Sequence, residues 1–533
     1  MIIGIDFGTC FSSVSVMNGG HPMSAFFGDS NKAFGIPTVF MYSKEQQKEV
    51  YGYDCINSVE AAMNSNDVVK NMKTMIRRNA DEMETTVESG GKKFLLKDVI
   101  KKYLIYLINE AKASVIKNGE ILNTQIEAVT ITAPIGIANG QMTATDYNRL
   151  LIDTVMDVTG LPREDVHILQ EPVAAANAFL YADGLRRQYQ EKQTILVFDL
   201  GGGTLDVTIV EHIPGGTRYN VKAKEGDLEL GGNQWDYELR KFVLKKAGIE
   251  KAFSDPKERS DFEAKINKLK HDLTTNDEGS IGFKFENERQ GTDVTRKEFE
   301  QATKMLLDKA IACTNKALNA FDSERGIGAI NKIVLVGGSC NMPQIKERMM
   351  AEYPSLGEPN IVLHDPSNAI AKGAALFAKM KKDNPTDSGE IGGDDILSCT
   401  YGFKSRRHST HNYAIYNMLF KDMQYEGESI YKESFASFSA IEDSQEKITF
   451  TIYESQAKQG PGDDDEGNWM ELGSGEEANG MELTVNVPPE YLGKATKYSL
   501  RLGFWLSRDG VLEVTIMRTD TGEKVEQARM QTH

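Results

Sequence analysis

Two stretches of this chain are near copies of one another. Ile3-Gly-Ile-Asp6-Phe-Gly8-Thr9-Cys10-Phe-Ser-Ser-Val-Ser-Val16 and Val197-Phe-Asp199-Leu-Gly201-Gly202-Gly203-Thr204-Leu-Asp206-Val-Thr-Ile-Val210 share one plan. Each breaks an apolar run with an aspartate, turns through glycine and threonine, and resumes an apolar run. Short runs rich in β-branched residues read as buried strands, so each copy is expected to be a β-hairpin with an acid and a glycine turn at its tip. Glycine at the tip lets backbone N–H groups approach an anion closely, and Thr9 or Thr204 adds a hydroxyl. An aspartate beside a phosphate needs a cation between them. Magnesium suits that place, because it keeps several waters and takes few carboxylates. Two such hairpins facing each other would clamp a nucleotide's phosphates from both sides, with Asp6 and Asp199 on the metal, mostly through water. One copy alone reads as an ordinary glycine turn; two, each opening a long α/β half, favour the clamp.

A third segment fits the same scheme. Lys332-Ile-Val-Leu-Val-Gly337-Gly338-Ser339 is a strand running into a glycine turn, and Met342-Pro343 opens a helix-like stretch to about Met350. It offers another close backbone approach, suited to the sugar or base. The formal charge of −17 on 533 residues repels nucleic acid and anionic membrane, so an anionic ligand must be held by local geometry. Hydrophobic residues at 40% and charged residues at 26% suit a soluble globular chain of several domains. The five cysteines (Cys10, Cys55, Cys313, Cys340, Cys399) contain no C-x-x-C pair, which argues against a disulfide framework and a zinc site. No apolar run is long enough to span a bilayer, and the start lacks a signal peptide's basic region. The expected setting is cytoplasmic.

Beyond Lys379 the composition changes. A Gly/Asp/Pro/Ser-rich stretch to Asp395 reads as a linker. After it, His411–Phe420, Lys447–Tyr453, Met481–Val487 and Tyr498–Leu506 alternate with period two, and Asp509-Gly510 marks a hairpin turn before Val511–Ile516. That spacing predicts an all-β sandwich. Gly460 to Gly480, acidic and glycine-rich, reads as a solvated loop, and the spacing of Asp463 to Glu466 does not match a calcium loop.

The segments IGIDFGT, ILQEPVAAANAF (Ile168 to Phe179), VFDLGGGTLDV, LGG (Leu230 to Gly232) and IVLVGGS occur in that order. The set resembles the 70-kDa heat-shock chaperone family, within the wider group that includes actin and sugar kinases. The resemblance covers roughly 1–380 strongly and the rest more weakly. It implies a two-lobed, actin-like (ribonuclease H-like) α/β ATPase domain over 1–380, an interdomain linker over 381–397, and a β-sandwich substrate-binding-like domain over 398–533.

Residue by residue, the resemblance implies a site for ATP or ADP with magnesium. Asp6 and Asp199 match its metal-site aspartates, and Thr9 and Thr204 its phosphate-facing threonines. Gly8, Gly201, Gly202 and Gly203 match its phosphate-loop glycines; Gly231, Gly232, Gly337, Gly338 and Ser339 line the same pocket. Lys73 matches the lysine that orients the attacking water, Glu171 the glutamate of the metal and water network, and Asp206 completes that set. Lys270 and Thr274 match adenosine contacts, and Pro134 a relay proline. This chain departs from the family at Cys10 (a second threonine there), Asn267 (a glutamate), His271 and Asn341 (both arginines) and Ser367 (an acid). Without the two arginines, the flat cationic surfaces that would stack on a purine are gone.

The resemblance also implies function. An ATP-dependent chaperone would couple slow ATP hydrolysis to binding of unfolded peptide segments, or of a dedicated client protein, by the β-domain. Co-chaperones of the J-domain and nucleotide-exchange classes would be its other partners. Nucleic acid and membrane are not expected as partners. With the sequence ending at His533, no helical lid is expected over the sandwich, and the acidic–aliphatic linker signal at Asp394-Asp395-Ile396-Leu397 is short. Those features suit an alternative: a nucleotide-dependent scaffold or regulator with a slow ATPase and one dedicated partner.

Overall fold

The computed structural model of the chain describes all residues except 26–34, 59, 62–63, 78–84, 118–124, 135–143, 183–191, 213–218, 228, 384–396, 398–399, 408–409, 411, 421–422, 424–428, 435, 456–468, 471–475, 508–510 and 532–533. Most of the expected linker, most of the acidic loop and the Asp509-Gly510 turn lie outside the described residues. The chain divides into two compact units, one formed by 1–135 with 150–391 and the other by 136–149 with 392–533.

In the first unit the repeated motif proves to be the opening of a repeated sheet. Strands β1 (Ile2–Asp6), β2 (Phe11–Asn18), β3 (His21–Ser24), β4 (Ala128–Ala133) and β5 (Val166–Gln170) pair in the order β3-β2-β1-β4-β5, and the short strand Ile36–Pro37 adds to β2. Strands β6 (Gln193–Leu200), β7 (Leu205–His212), β8 (Tyr219–Asp227), β9 (Lys332–Val336) and β10 (Ile361–Leu363) pair in the order β8-β7-β6-β9-β10. In both sheets the first strand is antiparallel to its hairpin partner and parallel to the strand on its other side. The register sets Asp6 opposite Ser13 and Asp199 opposite Asp206.

Seven helices matter for the site: α1 (Met72–Arg77), α2 (Glu171–Ala182), α3 (Gly232–Lys246), α4 (Pro256–Thr275), α5 (Arg296–Phe321), α6 (Pro343–Glu352) and α7 (Ala369–Asp383). The run Pro172-Val-Ala-Ala-Ala-Asn-Ala of α2 is all small or short, so α7 can come very close. A Cβ on Gly373 of α7 would lie 1.8 Å from the Ala174 carbonyl oxygen, and one on Gly4 of β1 would lie 2.2 Å from that of Ala371. Asn177 Nδ2 donates to the Gly373 carbonyl at 2.8 Å, and the Tyr219 hydroxyl donates to Asn177 Oδ1 at 3.1 Å, so a buried amide ties α2 to both α7 and β8. Phe198, Leu205, Trp235, Phe262 and Phe283 share the core under the second sheet, with Phe262 and Phe283 centroids 4.4 Å apart.

The second unit is a β-sandwich. β11 (Thr400–Arg406), β12 (Tyr413–Leu419), β14 (Lys447–Ser455), β15 (Trp469–Met470) and β16 (Glu476–Asn486) form one sheet in the order β15-β12-β11-β14-β16. β13 (Ser429–Glu433), β17 (Leu500–Ser507), β18 (Val511–Arg518) and β19 (Lys524–Gln531) form the other, in chain order. Ile448, Phe450, Leu502, Phe504 and Val514 meet between the sheets, and Phe403 stacks on Phe504 at 6.2 Å. No helix among the described residues is long and apolar enough to cross a membrane.

Any side chain on Gly373 must drive α7 away from α2. Gly373→Ala is expected to cost about 2–4 kcal/mol in denaturant unfolding of the full chain. Gly328→Ala, where a Cβ would have no neighbour within 4 Å, is expected to change stability by under about 0.5 kcal/mol.

Candidate functional site

The tips of the two hairpins meet. A Cβ on Gly202 would lie 2.4 Å from Cys10 Sγ, and one on Gly203 would lie 3.2 Å from the Thr9 methyl. At the first tip Gly8 folds so tightly that a Cβ would strike the Phe11 carbonyl oxygen at 2.0 Å. At the second, the Gly201 N–H donates to the Thr204 carbonyl at 3.0 Å. The start of α3 is stitched to this tip, with Gly232 N–H on Gly201 O at 3.0 Å and Asn233 N–H on Gly202 O at 2.8 Å. A Cβ on Gly231 would lie 2.4 Å from the Gly203 carbonyl carbon, so only glycine fits there.

The third glycine segment comes to the same place. Ser339 Oγ donates to the Gly201 carbonyl at 2.8 Å. Gly337 holds a left-handed φ of 82°, and a Cβ there would lie 2.4 Å from Asp199 Oδ1. Lys270 of α4 donates to the Gly232 carbonyl at 3.0 Å and pairs with Asp236 at 2.9 Å; Asn267 donates to the same carboxylate at 3.0 Å. Thr274 and Asn341 make local bonds, to the carbonyls of Lys270 at 3.0 Å and Gly338 at 2.9 Å. His271, beside Lys270, is held below its ordinary value by burial, so it is a neutral imidazole near pH 7 rather than a fixed cation.

Between the tips lies an acidic cluster. Lys73 from α1 and Glu171 at the first position of α2 form a buried ion pair, Nζ to Oε1 at 2.5 Å. Thr132 of β4 donates to Asp6 Oδ1 at 3.4 Å, and Thr204 to Asp206 Oδ2 at 3.3 Å. Burial, reinforced by the Glu171 charge, pushes Asp6 up to about 7, and the Lys73 ammonium only partly offsets it. Burial also holds Asp199 well above the ordinary carboxylate range, with Glu171, Asp206 and Asp6 adding to the shift. The two motif aspartates therefore feel one another across one cleft.

Four carboxylates share a single ammonium among these five groups. Such a set favours a hydrated cation, because neutralising two carboxylates by protons is the only other relief. Among the described residues no three His, Cys, Asp or Glu side chains converge as direct ligands of one ion. Asp6 and Asp199 are the residues that would hold such a cation.

A family model described as Hsp70 protein matches residues 2–487. The chain belongs to the Hsp70 family. It is similar to the chaperone protein DnaK of Deinococcus radiodurans, 29% identical over 75% of this chain and 62% of that protein. The DnaK of Deinococcus proteolyticus is 26% identical over 98% of this chain and 77% of its own length. A chaperone protein HscA homolog of Burkholderia pseudomallei is 27% identical over 74% of this chain and 60% of its own length. The chain thus spans less than two thirds of the length of several curated relatives it matches, among them the first and the third of these.

Sequence reasoning missed Thr132 and Asn233. Thr132 alternates with apolar residues in β4, a pattern that marks one face as polar; Asn233 follows the Gly231-Gly232 pair directly.

The sign of the Asp6 shift gives a stability prediction. Its folded value, about 7, lies above its ordinary 3.8, so between those pH values the folded chain holds a proton that the unfolded chain has lost. The Asp6 contribution to stability therefore falls as pH rises from about 4 to about 7 and levels off above. Asp6→Asn removes this contribution. Without metal, the variant is expected to melt about 2 °C or more above the parent at pH 8, the gap narrowing as pH falls below about 7 and closing near pH 4. Thermal unfolding across that range checks it.

Proposed function

We propose that this chain is an ATP-dependent chaperone-type ATPase, which binds and hydrolyses Mg–ATP and couples it to peptide or protein binding by its β-sandwich. The observation that carries the reading is the cleft where Asp6, Asp199 and the buried Lys73–Glu171 pair meet beneath two glycine tips. Phosphoryl transfer to water requires positioning and charge neutralisation more than covalent chemistry.

The division of labour follows from the donors each residue offers. Backbone N–H groups of Gly8, Thr9, Cys10 and Gly202 to Thr204 would face the phosphates, and the Thr9 hydroxyl would add a donor. The Gly201 N–H closes the turn on the Thr204 carbonyl, and the Thr204 hydroxyl holds Asp206. Asp6 and Asp199 would hold magnesium, which would supply charge neutralisation for the phosphates. Lys73 would place a fixed positive charge beside the γ-phosphoryl group as it passes to water and ADP leaves. Glu171, held by Lys73, orients a water and accepts from it, and Asp206 extends that network. Gly231, Gly232, Gly337, Gly338, Ser339, Lys270, Thr274 and Asn341 bound the nucleoside end. Partners in this reading are unfolded segments or a dedicated client, with J-domain and exchange-factor co-chaperones.

The nucleoside end favours the second reading, a regulator with slow turnover. Lys270 is already tied to Asp236, and neither a neutral His271 nor Asn341 offers a purine a cationic plane. ATP turnover measured with and without unfolded peptide separates the two readings. Stimulation is expected; a flat response, with activity changed only by one specific protein, would favour the regulator.

Lys73→Ala and Glu171→Gln are each expected to lower kcat by a factor of about 100 or more while changing ADP affinity only a few-fold. Single-turnover hydrolysis and equilibrium titration check this, with melting curves confirming that each variant is folded. At the other end of the cleft, His271→Arg with Asn341→Arg is expected to tighten ADP roughly tenfold and to sharpen ATP over GTP in competition. Tight, adenine-exclusive binding by the parent chain would contradict the weak base clamp.

A further inference from the structure

Strand β2 carries three serines, and two are satisfied. Ser12 Oγ bonds Thr38 Oγ1 at 2.8 Å, and Ser15 Oγ donates to the Met23 carbonyl at 2.7 Å. Ser13 is 4% exposed, and its hydroxyl has no hydrogen-bond partner. A buried hydroxyl without a partner costs free energy and calls for an explanation, a bound water or ion being one.

The register places this hydroxyl. Ser13 is the direct cross-strand partner of Asp6, so both side chains leave the sheet on the same face with their Cβ atoms about 5 Å apart. Thr132, on the strand to the other side of Asp6, already donates to its carboxylate. In the second sheet the partner of Asp199 is Asp206, whose charge acts on Asp199. The two sheets share one topology, so Ser13 holds beside Asp6 the position that Asp206 holds beside Asp199. One half of the cleft has an acid there, and the other an unused hydroxyl.

We propose that Ser13 completes the Asp6 half of the metal site: when the cation is bound, its hydroxyl donates to a water that Asp6 also holds. The inference rests on the magnesium–nucleotide reading above. It makes the first hairpin a contributor of two side chains to the hydrated cation, and it gives the orphan hydroxyl a partner only in the loaded state.

The test is Mn²⁺ binding to the full chain with ADP present, followed by electron paramagnetic resonance, for the parent, Ser13→Ala and Ser13→Thr. Ser13→Ala is expected to bind Mn²⁺ about five- to tenfold more weakly, the worth of one hydrogen bond, and Ser13→Thr to stay within about threefold of the parent. Metal-free Ser13→Ala is expected to melt at or above the parent's temperature, since it loses only an unpartnered polar group. A purely structural serine would do the opposite: lower melting without metal and unchanged Mn²⁺ affinity. Either of those results overturns the proposal. If the parent itself binds no Mn²⁺ with ADP, the magnesium–nucleotide reading falls with it; if the parent binds and Ser13→Ala binds equally, only this inference falls.

Discussion

Asp6, Asp199, Asp206 and Glu171 are gathered in one cleft with Lys73 as the single ammonium among them, and the pull of burial on Asp6 and Asp199 shows what that costs. A chain free to relax would splay these groups into water. Here it cannot, because each acid is fixed to an element with no slack. Asp6 ends β1 and Asp199 is the penultimate residue of β6, the central strands of two sheets. Glu171 opens α2, which is held against α7 by a contact so close that only glycine fits at 373. The unfavourable electrostatics are thus stored by packing, and in the proposed role a cation with its polyphosphate would relieve them. Neither sheet alone brings the whole set, since Asp6 stands on one and Asp199 with Asp206 on the other.

Much of this was legible in the sequence, and for a physical reason. A hairpin is local: the aspartate, the glycines and the flanking apolar runs lie within about fifteen residues, so composition and period reveal it. What could not be read is non-local. The parallel pairing of β1 with β4 and of β6 with β9 joins residues far apart in the chain, and nothing in either strand names its neighbour. The Lys73–Glu171 pair spans 98 positions and was reachable only through the family resemblance. Ser13 went unread for a subtler reason: a serine in a strand is unremarkable until the register sets it opposite Asp6.

The sandwich repeats the lesson. Lys447–Ser455 alternates cleanly, with Ile448, Phe450 and Ile452 inward, and its period announced it. Thr400–Arg406 did not announce itself, because Gly402 sits at a register shift where a side chain would meet the Tyr416 carbonyl oxygen at 2.5 Å. Ser429–Glu433 is five residues long and lies at the edge of its sheet, too short for a period to show.

The two ends of the cleft also differ in kind. At the end proposed for the phosphates the groups are backbone amides and under-neutralised acids, which would gain interactions when a cation and its anionic ligand arrive together. At the nucleoside end Lys270, Asn267, Thr274 and Asn341 already bond within the protein, to Asp236, to the helix backbone or to Gly338. A base entering there exchanges one set of hydrogen bonds for another and gains little net free energy. Recognition in the proposed role would therefore fall mainly on the polyphosphate and its cation, and selectivity among nucleotides would be the weaker property. The conformational state of the cleft would then report the number of phosphates and the presence of metal more faithfully than the identity of the base.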